Sequence, residues 1–100
     1  MQDRHWLTKL LDTRLDWRTL QAFLDVAECG TFRSASIERR FALNTLRWRV
    51  DNLEQLAGCK LVSRSNEGVA LTPAGEALLV VVRAMAPAKE QAVTALADNN

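Results

Sequence analysis

FRSASIERRFALNTLRWRVDNL, residues 32–53, is the stretch whose reading decides the fold. Leu46, Val50, Leu53 and then Ala57 recur at steps of four, three and four, which is one face of a helix with 3.6 residues per turn. Thr45, Arg47, Trp48, Arg49 and Asn52 fall between them and are predicted to point away from that face. An apolar back and a front of Arg, Asn, Thr and an indole suit the major groove of DNA. Residues 32–39 form a shorter helix before it. Residues 40–44 make the turn, so the stretch is predicted to be two helices joined tightly, the second running from about Leu43 to Leu56 and stopped by Gly58.

Upstream, Asp16 is placed to cap a helix whose inner face is Trp17, Leu20, Phe23, Leu24 and Ala27, with Arg18, Gln21, Asp25 and Glu28 toward water. Gly30 ends it as a left-handed residue does. Thr31 caps the next helix. Thr31, Arg33 and Ser34 crowd its N-terminus, where free amides and the helix dipole favour an anion. Further upstream, Trp6, Leu7, Leu10, Leu11 and Leu15 make an amphipathic stripe, predicted to lay an extra helix on the domain.

Downstream, residues 60–62 and 69–71 are β-prone and flank the turn-forming Ser65-Asn66-Glu67-Gly68, a small hairpin or wing. Thr72 at N-cap and Pro73 at the first helical position open a last helix. Leu78, Leu79, Val82 and Met85 form an apolar ridge on it, predicted to pair two subunits. Pro87 is expected to kink or break this helix near Ala86. The expected organisation is an N-terminal helix at 1–15, a helical domain with a hairpin at 16–71 and a linker helix at 72–100. The fold class is mainly α with a small β-hairpin.

The 100-residue chain is sized for one domain. Its net charge is only +1, but the charge is uneven. Residues 32–64 hold Arg33, Arg39, Arg40, Arg47, Arg49, Lys60 and Arg64 against only Glu38, Asp51 and Glu54. A basic middle between acidic flanks points to an anionic partner at one surface. Asp51 and Glu54 read as solvated or ion-paired on a helix surface. Cys29 and Cys59 lack metal-motif spacing and read as reduced structural thiols. A lone histidine, His5, and four glycines scattered at element ends argue against an enzyme, and neither a metal nor a cofactor is expected. No run of apolar residues has the length of a membrane span, and Asp3, Arg4, Lys9 and Asp12 interrupt any signal peptide, so the expected compartment is the cytoplasm.

From Trp17 to about Arg83 the chain resembles the DNA-binding domain of LysR-type transcriptional regulators. The resemblance rests on Leu20, Phe23 and Leu24; on Ala27, Glu28, Gly30, Thr31, Phe32 and Ala35; on Leu46, Val50, Leu53, Glu54 and Gly58; on Leu61, Arg64 and Gly68; and on Leu71, Thr72, Ala74 and Gly75. It implies a winged helix-turn-helix followed by a linker helix through which two subunits pair, and sequence-selective binding of double-stranded DNA by a homodimer that regulates transcription. Thr31, Arg33, Ser34, Arg64 and Asn66 would hold phosphates, and Asn44, Thr45, Arg47, Trp48 and Arg49 would face the groove.

The departures lie in the second helix of the motif. Ala42, Leu43 and Asn44 stand where the family has Ser-Gln-Pro or similar, which suggests a later start with Asn44 as cap. Glu67 replaces a basic wing residue, and Arg39 replaces an apolar one, its stem packing and its head in solvent. The family's larger effector-binding domain has no counterpart in these residues, so no effector ligand is expected within this chain. A chain cut after the linker helix and a stand-alone domain both fit. The alternative function is a protein-interaction module, suggested by Leu43, Trp48 and Glu67 on the face meant for DNA.

Overall fold

Glycine, threonine and aspartate punctuate the chain where helices must begin and end. The computed structural model describes residues 16–65 and 68–98. The helix expected over residues 1–15, and the wing-tip residues Asn66 and Glu67, lie outside that range. The Asp16 carboxylate accepts the Arg18 amide (2.9 Å) and opens α1, Trp17–Cys29. Gly30 closes it at φ 84°. The Thr31 hydroxyl accepts the Ser34 amide (2.9 Å) and opens α2, Phe32–Arg39. α2 ends on Arg40, a non-glycine residue at φ 59° whose amide reaches the Ser36 carbonyl. Two further bonds fix the turn: the Phe41 amide donates to the Ser36 carbonyl, and the Ser36 hydroxyl donates to the Phe41 carbonyl.

α3 follows as Leu43–Ala57 and stops at Gly58. Its N-cap is Ala42, without a side-chain bond, so the helix does not wait for Asn44. The predicted stripe is its buried face: Leu46, Val50, Leu53 and Ala57 pack with Phe23 and Val26 of α1 into one core. Burying a side chain of this kind stabilises by about 1.5–3 kcal/mol, so the stripe decides how α3 is rotated about its axis.

Two short strands, β1 (Val62–Ser65) and β2 (Gly68–Leu71), pair antiparallel with Val62 opposite Leu71 and Ser65 opposite Gly68. The ladder begins at Val62, later than the predicted 60–62, and the amides at its start are engaged by α3. The Glu54 carboxylate of α3 accepts the Leu61 amide at 2.8 Å and the Val62 amide at 3.1 Å. Glu54 is therefore buried and bonded to backbone rather than solvated on the helix surface, with Lys60 Nζ 3.7 Å away at the rim. On the opposite strand, the Val69 amide donates to the Gly30 carbonyl (2.9 Å) and moors the wing to the end of α1.

α4 spans Pro73–Asp98. Thr72 accepts the Gly75 amide and donates to the Lys60 carbonyl (2.7 Å), locking the helix start against the α3–β1 connection. A Cβ on Gly75 would lie 2.0 Å from the Leu61 carbonyl oxygen, so only glycine allows this approach. The helix continues through Pro87, so the break does not occur. A proline costs one amide bond to the preceding turn, and the residue whose carbonyl loses it, Arg83, is exposed to water.

The expected dimer ridge is split. Leu78 and Val82 are fully buried in the chain's own core and Leu79 packs half-buried against it, while Val80, Met85 and Leu96 are exposed large apolar side chains among the described residues of α4. The physical reason is that α4 spends its inner face on α1 and β2. Asp25 was expected in water and is instead buried, bonded by Gln21 Nε2 (2.9 Å) and facing Arg39 Nε at 3.6 Å. Arg39, with Glu28 at 3.4 Å on its other side, joins α2 to α1 while its side chain stays 41% exposed, as expected of a packed stem with its head in solvent.

Glu54→Ala leaves two backbone amides without their acceptor and is expected to cost about 1–3 kcal/mol. Urea denaturation followed by far-ultraviolet circular dichroism measures it, with Glu54→Gln, which keeps an acceptor oxygen, losing less.

Candidate nucleic-acid interface

The N-terminus of α2, one flank of α3 and the wing meet at an open depression lined by Thr31, Phe32, Arg33, Arg47, Arg64 and Ser65. Phe32 is buried and its ring is the floor. The Arg64 guanidinium carbon lies 4.7 Å from the ring centroid and that of Arg47 6.0 Å. Cations over an aromatic face gain electrostatic attraction and lose side-chain freedom, so these two arginines are held in place before any ligand arrives. Arg64 is also gripped by Asp51, Nη2 to Oδ1 at 2.6 Å. Arg33, exposed at the first turn of α2, makes no ion pair with any described residue. Thr31 spends its hydroxyl on the Ser34 amide, so its capping role is filled. The arrangement offers three guanidinium groups and a helix N-terminus to an anion.

Beside this cradle stands the outer surface of α3. Arg47, Trp48 and Asn44 are exposed, whereas Thr45, Arg49 and Asn52 are half-buried along its edges. The surface expected to face outward as a whole is therefore narrower. Arg49 leans back, its guanidinium carbon 5.3 Å from the exposed Phe41 ring. Trp48 is 65% exposed. Of the residues predicted as a site, the fold brings Thr31, Arg33, Arg47 and Arg64 to one depression. Phe32 as a stacking floor, Phe41 as a rest for Arg49, and Asp51 as the partner of Arg64 were not legible in the sequence. Each depends on which residues meet across elements, and no spacing within an element signals that.

Both cysteines are half-buried free thiols. Burial pushes the Cys29 thiol up, and the Glu38 carboxylate that accepts its hydrogen bond at 3.3 Å pushes it further, against the opposing pull of Arg39. Burial also raises Cys59, with Glu54 adding to it. Among the described residues there is no group of three or more His, Cys, Asp or Glu side chains placed to hold a metal. Nor is any described helix long and apolar enough to cross a membrane.

Three helices with a tight turn between the second and third, followed by a hairpin against a further helix, define a winged helix-turn-helix domain. Residues 17–76 match the family model described as "Bacterial regulatory helix-turn-helix protein, lysR family", and the chain belongs to that family. It is 41% identical over 69 residues to the transcriptional activator AllS of Klebsiella pneumoniae, an alignment covering 69% of this chain and 26% of that protein. The fold superimposes on a peroxide-bound mutant of OxyR from Corynebacterium glutamicum with a TM-score of 0.82 and 29% identity, covering 89% of this chain and 29% of that one. It also matches the DNA-binding domain of CbnR in its complex with DNA, with a TM-score of 0.74 and 28% identity, over 86% of this chain and all of that one (100%). The chain thus spans about a quarter of the length of AllS.

Ala42 has the extended backbone of a cap residue, φ −61° and ψ 136°, and no side chain to do the capping. Ala42→Ser is expected to stabilise the domain by about 1 kcal/mol, read as a rise in the urea midpoint with an unchanged slope.

Proposed function

We propose that this chain binds double-stranded DNA as a homodimer, lays α3 in the major groove and regulates transcription in the cytoplasm. The observation that carries the reading is the cradle of Arg33, Arg47 and Arg64 beside the exposed face of α3. Arg33, Arg47 and Arg64 gathered at one depression suit a phosphate backbone, while the neighbouring Asn44 and Trp48 are in reach of base edges. Membership of the lysR family and the likeness to a domain bound to DNA support it. Residues 16–71 would be the DNA-binding unit and residues 72–100 the linker that pairs two copies.

In this reading Thr31, Ser34 and Arg64 help fix the register on the backbone. Arg64 must exchange Asp51 for phosphate, whereas Arg33 has no ionic partner among the described residues to give up. Asn66 belongs to the wing tip, and its phosphate contact stays part of the proposal. Pairing would use the apolar side chains that α4 leaves outside the core: Leu79 at its edge, Val80 (71% exposed), Met85 and Leu96 (69% exposed). Leu78 and Val82 act from beneath, by holding that surface in place. An effector ligand and catalysis have no assigned place in this chain.

Duplexes selected from a random-sequence pool should bind with an affinity that falls linearly in logarithmic salt. Arg33→Ala should lower that slope by about 1 with little change in sequence preference. Fluorescence anisotropy across a salt series measures both. Failure to bind any selected or genomic duplex at low salt would overturn the proposal.

Sedimentation at micromolar concentration should give a dimer, and Val80→Glu should shift it to monomer without loss of fold. A wild-type monomer would remove the two-half-site arrangement.

A further inference from the structure

Asn44, Trp48, Asp51 and Gln55 follow one another along α3 at steps of four, three and four, and all four are exposed. They form the outermost ridge of the helix, and Trp48 stands at its middle. Its neighbours in sequence are turned aside. Arg47 leans over Phe32 on one flank, and Arg49 over Phe41 on the other. The next residue along the ridge, Asp51, is committed to Arg64. The cations therefore lie beside the helix, where the two phosphate backbones of a groove run, and the centre of the ridge is an uncharged indole.

An indole carries one N–H donor and no acceptor, so it cannot make the paired hydrogen bonds that identify guanine or adenine. What it presents is a wide apolar face. The apolar feature of the major-groove edge is the 5-methyl group of thymine. An indole exposed in water and a methyl group exposed in water both gain by covering each other. We propose that Trp48 is a specificity-determining residue that selects thymine through its 5-methyl group, placing an apolar contact at the centre of each half-site. This rests on the DNA-binding reading above, and adds which chemical group is read and by which side chain.

The test uses deoxyuridine, which keeps the pairing face and the O4 acceptor of thymine and lacks only the methyl. A duplex selected by the full chain from a random pool is resynthesised with deoxyuridine at each thymine in turn, and binding is measured by fluorescence anisotropy. One position in each half-site should weaken by about fourfold, the worth of one buried methyl-sized group. Trp48→Ala should bind the thymine and deoxyuridine duplexes equally at that position. Because Trp48 is exposed, this variant should melt with the wild-type protein. Should Trp48→Ala bind too weakly to titrate, Trp48→Phe replaces it and should show a smaller ratio than wild type.

A flat deoxyuridine scan with the wild-type protein overturns the inference while leaving DNA binding intact. So does a thymine-to-deoxyuridine ratio that the Trp48 variants leave unchanged. Selection of no duplex at all removes the DNA-binding reading first, and this inference with it.

Discussion

Leu46, Val50 and Leu53 are sealed against α1, and their burial fixes how α3 is turned about its own axis. A helix has one free rotation once its axis is placed, and a three-residue apolar stripe removes it. Everything that α3 can offer a partner follows from that angle. Asn44, Arg47 and Trp48 come outward, Thr45, Arg49 and Asn52 stop at the edges, and Glu54 is carried inward to the start of the wing. A rotation by one residue, about 100°, would bury an arginine and expose a leucine, at a cost of several kcal/mol. The outer face is specified by what the inner face cannot give up.

The charges on this surface are arranged by aromatic rings. Phe32 lies under Arg64 and Arg47, and Phe41 under Arg49. A guanidinium resting on a ring remains hydrated at its edge and keeps its donors available, while its long stem is less free. The domain thus carries its cations on both flanks of α3 with part of their ordering entropy already lost. Asp51 adds a constraint of a different kind. Its bond to Arg64 crosses from α3 to β1, so the wing arginine is registered against the helix it flanks.

Helix and wing are joined by backbone chemistry. One carboxylate, Glu54, holds two amides at the start of β1; one carbonyl, Gly30, holds the Val69 amide of β2; and Gly75 lets α4 approach the Leu61 carbonyl where any Cβ would collide. These three ties join the wing and its neighbours to the ends of α1 and α3 and the start of α4. They explain why a hairpin of two four-residue strands is held in place although it is too short to be stable alone.

The amino-acid sequence by itself determined the elements and their order. The caps at Asp16 and Thr31, the stops at Gly30 and Gly58, the Thr72-Pro73 start and the apolar stripe of α3 are local signals, and local hydrogen bonding and periodicity carry them. The resemblance of residues 17–83 to a known family rested on the same positions. The family match over residues 17–76 agrees with it. What only the tertiary structure decided is who meets whom. Asp25 is buried because Arg39 arrives from α2, Glu54 is buried because two amides arrive from the wing, and Leu78 and Val82 are core because α1 covers them. A charged residue on a helix reads as solvated until a partner from another element supplies the bond that makes its burial affordable. That partner is set by chain topology, which periodicity does not encode.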